Sequence, residues 1–105
     1  MYEGNFVKLK LKSAMDGSYV SANRVHDCQV LSFDEEKDRF IFLLRKGELS
    51  DIRLSAIYEC RIHCEDGGIC CIGEVDRRYR GERGNIIEFY IRKGFYKINI
   101  NSVDK

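Results

Sequence analysis

The chain has 105 residues, 44% of them hydrophobic and 33% charged, with a formal net charge of +1. That length fits one domain with a core of its own, and the composition excludes a disordered polyelectrolyte. The balanced charge provides no global field toward nucleic acid or membrane, so either partner would require a local patch.

The opening MYEGNFVKLKLK has no apolar run leading to a small-residue cleavage site. Nowhere does the chain approach the ~20 consecutive apolar residues of a membrane-spanning helix. A cytoplasmic protein without membrane association is the expectation. The five cysteines, an odd number, then read as reduced thiols rather than a disulfide framework.

In chain order, residues 5–12 alternate Val7, Leu9 and Leu11 with Lys8, Lys10 and Lys12, the pattern of a half-buried strand with a lysine face in water. Lysines on such a face also guard a sheet edge against unwanted pairing. Asp16-Gly17 marks a turn, and 19–25 a weaker strand. Residues 27–33 alternate again, 34–38 (DEEKD) form a charged turn, and 39–44 (RFIFLL) resume extended structure before a turn at Lys46-Gly47. Residues 50–57 (SDIRLSAI) fit a short strand followed by one helical turn. Two strands, 58–64 and 69–77, flank Glu65-Asp66-Gly67-Gly68. The last pair, 85–91 and 95–101, is expected as a hairpin about Arg92-Lys93-Gly94, with Ile87, Phe89 and Ile91 facing Tyr96, Ile98 and Ile100. No window supports a long amphipathic helix. About seven short strands between turns predict one all-β domain over 1–105, a small antiparallel split or partly open barrel with at most one short helical turn.

The segment CRIHCEDGGICC, residues 60–71, gathers four of the five cysteines and one of the two histidines. A hairpin turning on Asp66-Gly67 would set Cys64 opposite Ile69, Ile62 opposite Cys71 and Cys60 opposite Gly73. Tyr58, Cys60, Ile62, Cys64, Ile69, Cys71 and Val75 then share an apolar side. Glu59, Arg61, His63, Cys70 and Glu74 share the other. On this pattern the cysteines are small core residues, and no cofactor is expected. The alternative is zinc held by Cys60, His63, Cys64, Cys70 and Cys71. It fits a strand poorly, because positions 60 and 64 lie roughly 13 Å apart when extended. Two thiolates on one zinc are separated by about 4.6 Å at most.

The stretch RRYRGERG, residues 77–84, places Arg77, Arg78, Arg80 and Arg83 around Tyr79. Such a group could hold a phosphate or stack a base, as a cyclic dinucleotide or RNA would require. As plain structure it is a solvated hairpin loop whose charge is blunted by Glu74, Asp76 and Glu82. Neither a Gly-x-Ser-x-Gly elbow nor a Gly-x4-Gly-Lys-Ser/Thr phosphate loop occurs. His26 and Asp27 are neighbours on a strand and point to opposite faces. No enzymatic activity is expected.

The succession of short strands from Val7 to Tyr58, opening with FVKLKLK and continuing through DGSYVSANRVHD, resembles the N-terminal domain of bacterial flagellar brake proteins, the PilZ-type cyclic-di-GMP receptors. The resemblance implies a split barrel in an accessory or interaction role, without a PilZ partner domain in these residues. The family's nucleotide signature is Arg-x3-Arg followed by Asp/Asn-x-Ser-x2-Gly, and it does not carry over. Four residues after Arg77, Arg78 and Arg80 stand Gly81, Glu82 and Gly84, and in Asp51-Ile52-Arg53-Leu54-Ser55 the serine comes too late. The expected function is a binding or regulatory module acting through protein contacts, including a homodimer formed through an exposed strand edge.

Overall fold

The computed structural model describes residues 2–14, 25–54, 56–65 and 67–98. Six antiparallel strands close into a barrel: β1 (Phe6–Ala14), β2 (Val25–Asp34), β3 (Arg39–Leu44), β4 (Ala56–Cys64), β5 (Gly67–Gly81) and β6 (Gly84–Ile98), in the ring order β1-β2-β3-β6-β5-β4. The ring closes because β1 pairs on both sides, Leu9 opposite His26 of β2 and opposite Cys60 of β4. The expected turn at Asp16-Gly17 and most of the weak strand over 19–25 lie outside the described residues. No described helix is long and apolar enough to cross a membrane.

Alternation decides what enters the barrel. Val7, Leu9 and Leu11 of β1 are buried, as are Cys28 and Val30 of β2 and Phe40, Phe42 and Leu44 of β3. Tyr58, Cys60 and Ile62 of β4 and Cys71 and Val75 of β5 complete the wall with Ile87, Phe89 and Ile91 of β6. The rings interlock: Phe33 stacks on Phe40 at 4.4 Å between centroids, Phe40 on Phe42 at 5.2 Å, and Phe42 leans on Phe89 at 5.7 Å. Such contacts add to the burial term itself.

Two local expectations are corrected. Residues 85–91 and 95–98 are not the arms of a hairpin but parts of one strand, β6. Arg92-Lys93-Gly94 is a bulge: β5 shifts its register on β6 between Ile72↔Lys93 and Gly73↔Ile91, and pairing resumes at Cys70↔Tyr96. The physical reason is visible in the two Arg-Lys-Gly segments. Gly47 turns the chain at φ 86°, whereas Gly94 has no positive φ. The real hairpin of this region is the one joining β5 to β6 through Glu82 and Arg83. Between β3 and β4 the helical turn precedes the strand rather than following it. A 3-10 turn at Leu49–Asp51 is fixed by reciprocal capping between Glu48 and Asp51, and Ile52 then drops into the core.

Gly73 is the tightest point of the wall. A Cβ there would collide with the Tyr90 carbonyl oxygen and lie 2.8 Å from the Phe89 ring, whereas at Gly94 it would meet nothing within 4 Å. Gly73→Ala is therefore expected to cost about 2 kcal/mol or more through overpacking, and Gly94→Ala less than about 0.5 kcal/mol. Urea unfolding of both variants checks this; equal losses would contradict the bulged packing of β5 on β6.

Candidate functional site

The cysteine segment forms the β4–β5 hairpin, with a register two residues off the expected one. Cys64 pairs with Gly67, Ile62 with Ile69, and Cys60 with Cys71. A shift of two preserves the faces. Cys60 and Cys71 therefore point inward and are fully buried, Cys64 is half-buried at the rim, and His63 is exposed on the outside. Cys70 lies on the outward side, as alternation demands, yet is buried there, its Sγ donating to Glu59 Oε2 at 3.3 Å. The five residues of the zinc alternative are thus split between two sides of one wall. Among the described residues no group of three or more His, Cys, Asp or Glu converges on a metal-sized site.

Burial also governs thiol chemistry. Loss of hydration pushes the Cys28 thiol up to about 12. The Cys60 thiol is raised as well, first by burial and then by its hydrogen bond with Cys71. A thiol kept neutral is a poor nucleophile and a poor metal ligand.

The arginine stretch is strand rather than loop. A bulge after Val75 turns Asp76 and Arg77 both outward and restores alternation one step late. Arg78 thereby faces the end of the barrel, where its Nη1 donates to the carbonyl of Leu49 at 3.0 Å and to that of Ile52. It clamps the 3-10 turn. Outside, Glu88 of β6 is a hub: Arg77 lies 3.6 Å away, Arg39 3.9 Å away, and Tyr79 donates its hydroxyl at 2.9 Å. That bond raises the Tyr79 phenol above its ordinary value. Arg39 also pairs with Asp76 at 2.6 Å and lies over the Tyr90 ring, while Arg77 lies over Tyr79. Exposed ion pairs of this kind add little stability, so their main effect is to hold two tyrosines in fixed orientations. Of the arginines singled out in the sequence, Arg80 and Arg83 lie exposed at the hairpin tip, and Arg77 is exposed on the outer wall beside Glu88.

A second surface was not singled out by the motifs. On the outer wall over β1 and β2, a groove of about 470 Å³ is lined by Phe6, Lys8, Asp27, Arg45, Lys46 and His63, with Val7 and Cys28 beneath. Phe6 is 59% exposed. The Arg45 guanidinium sits 5.9 Å from its ring centroid and is held by a 2.7 Å hydrogen bond to Gln29. Lys8 donates to Asp27 at 2.6 Å, which lowers the Asp27 carboxyl below its usual value. One sequence signal could have found this groove: Phe6 shares the outward parity of Lys8, Lys10 and Lys12, an aromatic on a polar face.

The thiol environment yields a test. Below pH 9 the Cys28 thiol is neutral in both folded and unfolded chains and contributes no pH dependence. Between pH 9 and about 12 only the unfolded chain ionises. Stability then falls with rising pH, by at most ~1.4 kcal/mol per pH unit for this group. Urea unfolding at pH 8 and pH 10.5 should show a smaller decline for Cys28→Ala than for the wild type; identical declines would place Cys28 outside the barrel.

No family model, no curated protein and no solved structure matches this chain.

Proposed function

We infer that the chain is a non-enzymatic binding or regulatory module that acts through protein contacts. The observation carrying this reading is the outer wall of β3, β6 and β5. Tyr79 and Tyr90 stand 37% and 40% exposed there. Both are braced by arginines, and half-buried Ile41 and Leu43 lie beside them. Tyrosine and arginine are the side chains enriched at the energetic centres of protein interfaces. Here they are already ordered, so less side-chain entropy is lost on docking.

Self-association is the simplest form of the contact. β3 pairs with β6 only as far as Arg39↔Tyr90, with one further hydrogen bond from Ile91 N–H to the Asp38 carbonyl. Residues 92–98 of β6 run on beyond it, and no described strand pairs with them on that side. A second strand could add along this edge. The likeness of the strand succession to the N-terminal domain of flagellar brake proteins supports the same accessory role. Bacterial origin and a cytoplasmic setting belong to this proposal.

The test compares the wild type with Tyr79→Ala/Tyr90→Ala. Both side chains are exposed, so the double variant should fold with its thermal midpoint nearly unchanged. Sedimentation equilibrium and quantitative co-purification should show a stoichiometric partner, a second copy included, bound at least about tenfold more weakly by the variant. A strictly monomeric wild type whose captured proteins match those of the variant would overturn the reading.

A further inference from the structure

We propose that the groove around Phe6 binds a nucleotide unit, its base against the Phe6 ring and its phosphate against Lys46, Arg45 and His63. The site is independent of the tyrosine wall, since β1 and β6 stand three places apart in the six-strand ring, on opposite sides of the barrel.

Three observations carry the proposal. The first is size: about 470 Å³ falls within the ~300–1,000 Å³ of small-molecule sites and exceeds what a bare phosphate needs. The second is charge. Lys8, Arg45 and Lys46 against Asp27 leave 3 − 1 = +2 on the lining, counting His63 as neutral, twice the +1 of the whole chain. The lone acid is already neutralised by Lys8 at 2.6 Å. The side chains of Lys46 and His63 make no hydrogen bond or ion pair with another described residue; Lys46 feels the Asp27 carboxylate only at longer range, so both can turn to an anion. The third is the aromatic. Phe6 stays 59% exposed although Arg45 lies over its ring. An aromatic face bordered by cations is the combination that takes a base and its phosphate together. Acidic side chains of a peptide would use the cations and leave the ring idle.

The adjoining cavity, lined by Val25, His26, Asp27, Lys46, Gly47 and Asp51, has two carboxylates to one lysine and does not suit an anion. It bounds the phosphate position on the Gly47 side. Of the hairpin arginines, Arg77 and Arg78 are engaged with Glu88 and with the 3-10 turn, which leaves the exposed Arg80 and Arg83 as the poorer candidates for the same ligand.

The experiment is a two-dimensional ¹⁵N–¹H NMR titration of the labelled chain with AMP, a hexauridine RNA, sodium phosphate and a hexaglutamate peptide. The proposal predicts saturable shifts at the amides of Phe6, Asp27, Arg45, Lys46, Gly47 and His63. AMP saturation identifies a free nucleotide, and saturation by RNA alone identifies a single strand; either result supports the site. Phe6→Ala should weaken binding about tenfold or more, as loss of a stacking partner does. Lys46→Glu should abolish it, and Arg80→Glu should leave it unchanged. Phe6 and Lys46 lie outside the core, and dispersed variant spectra confirm folding. The proposal is overturned if neither AMP nor RNA shifts these amides at millimolar concentration. It is overturned equally if phosphate or hexaglutamate matches the nucleotides, or if Phe6→Ala binds as the wild type does.

Discussion

Everything in this molecule depends on β1 being paired along both edges. Residues Val7 to Lys10 each have a partner on β2 and another on β4, and that double pairing turns a sheet into a ring. Once the ring is closed, inward and outward are fixed for every strand, and a slip of one residue would exchange the two faces everywhere. The interior is packed with side chains: aromatics from β2, β3, β4 and β6 meet the aliphatic residues and thiols around them. Barrels this narrow are filled by their own side chains, so recognition is left to the outer wall.

Departures from regular pairing shape that wall. The extra residue at Asp76 puts two charged side chains outward in succession, and Glu88 gathers Arg39, Arg77 and Tyr79 around itself. The same bulge turns Arg78 toward the barrel end, where it satisfies carbonyls of a connection with little secondary structure of its own. A single register shift thus both orders the tyrosine face and ties down the link from β3 to β4. On the far side, the chain leaving β3 folds back so that the Arg45 N–H donates to the Asp27 carbonyl at 2.8 Å. Arg45 and Lys46 are thereby brought over β2, beside Phe6 of β1.

Much of the fold was legible in the sequence because period-two patterning is a direct record of a two-faced strand. RFIFLL is β3 residue for residue, and the two faces of the cysteine hairpin follow from alternation even though its register differs by two residues from that of a turn on Asp66-Gly67. What the pattern could not carry is register. Arg92-Lys93-Gly94 has turn composition but lies in a strand, because β5 continues to pair beyond it. Arg77 to Arg80 resemble a loop until the long hairpin is seen. The Phe6 groove was illegible for a different reason. Its lining comes from β1, β2, the end of β3 and β4, segments that only ring closure brings together.

Amide hydrogen exchange across β1 tests that closure most directly. In an antiparallel strand successive N–H groups point alternately to the two neighbours. In a closed ring, Val7, Lys8, Leu9 and Lys10 should all be protected, at levels approaching the global unfolding free energy. Protection at alternate residues only, with the others exchanging as an open edge does, would mean that β1 has lost one of its partners. The barrel would then be open, and the inside–outside assignment of its cysteines and of its groove would fall with it.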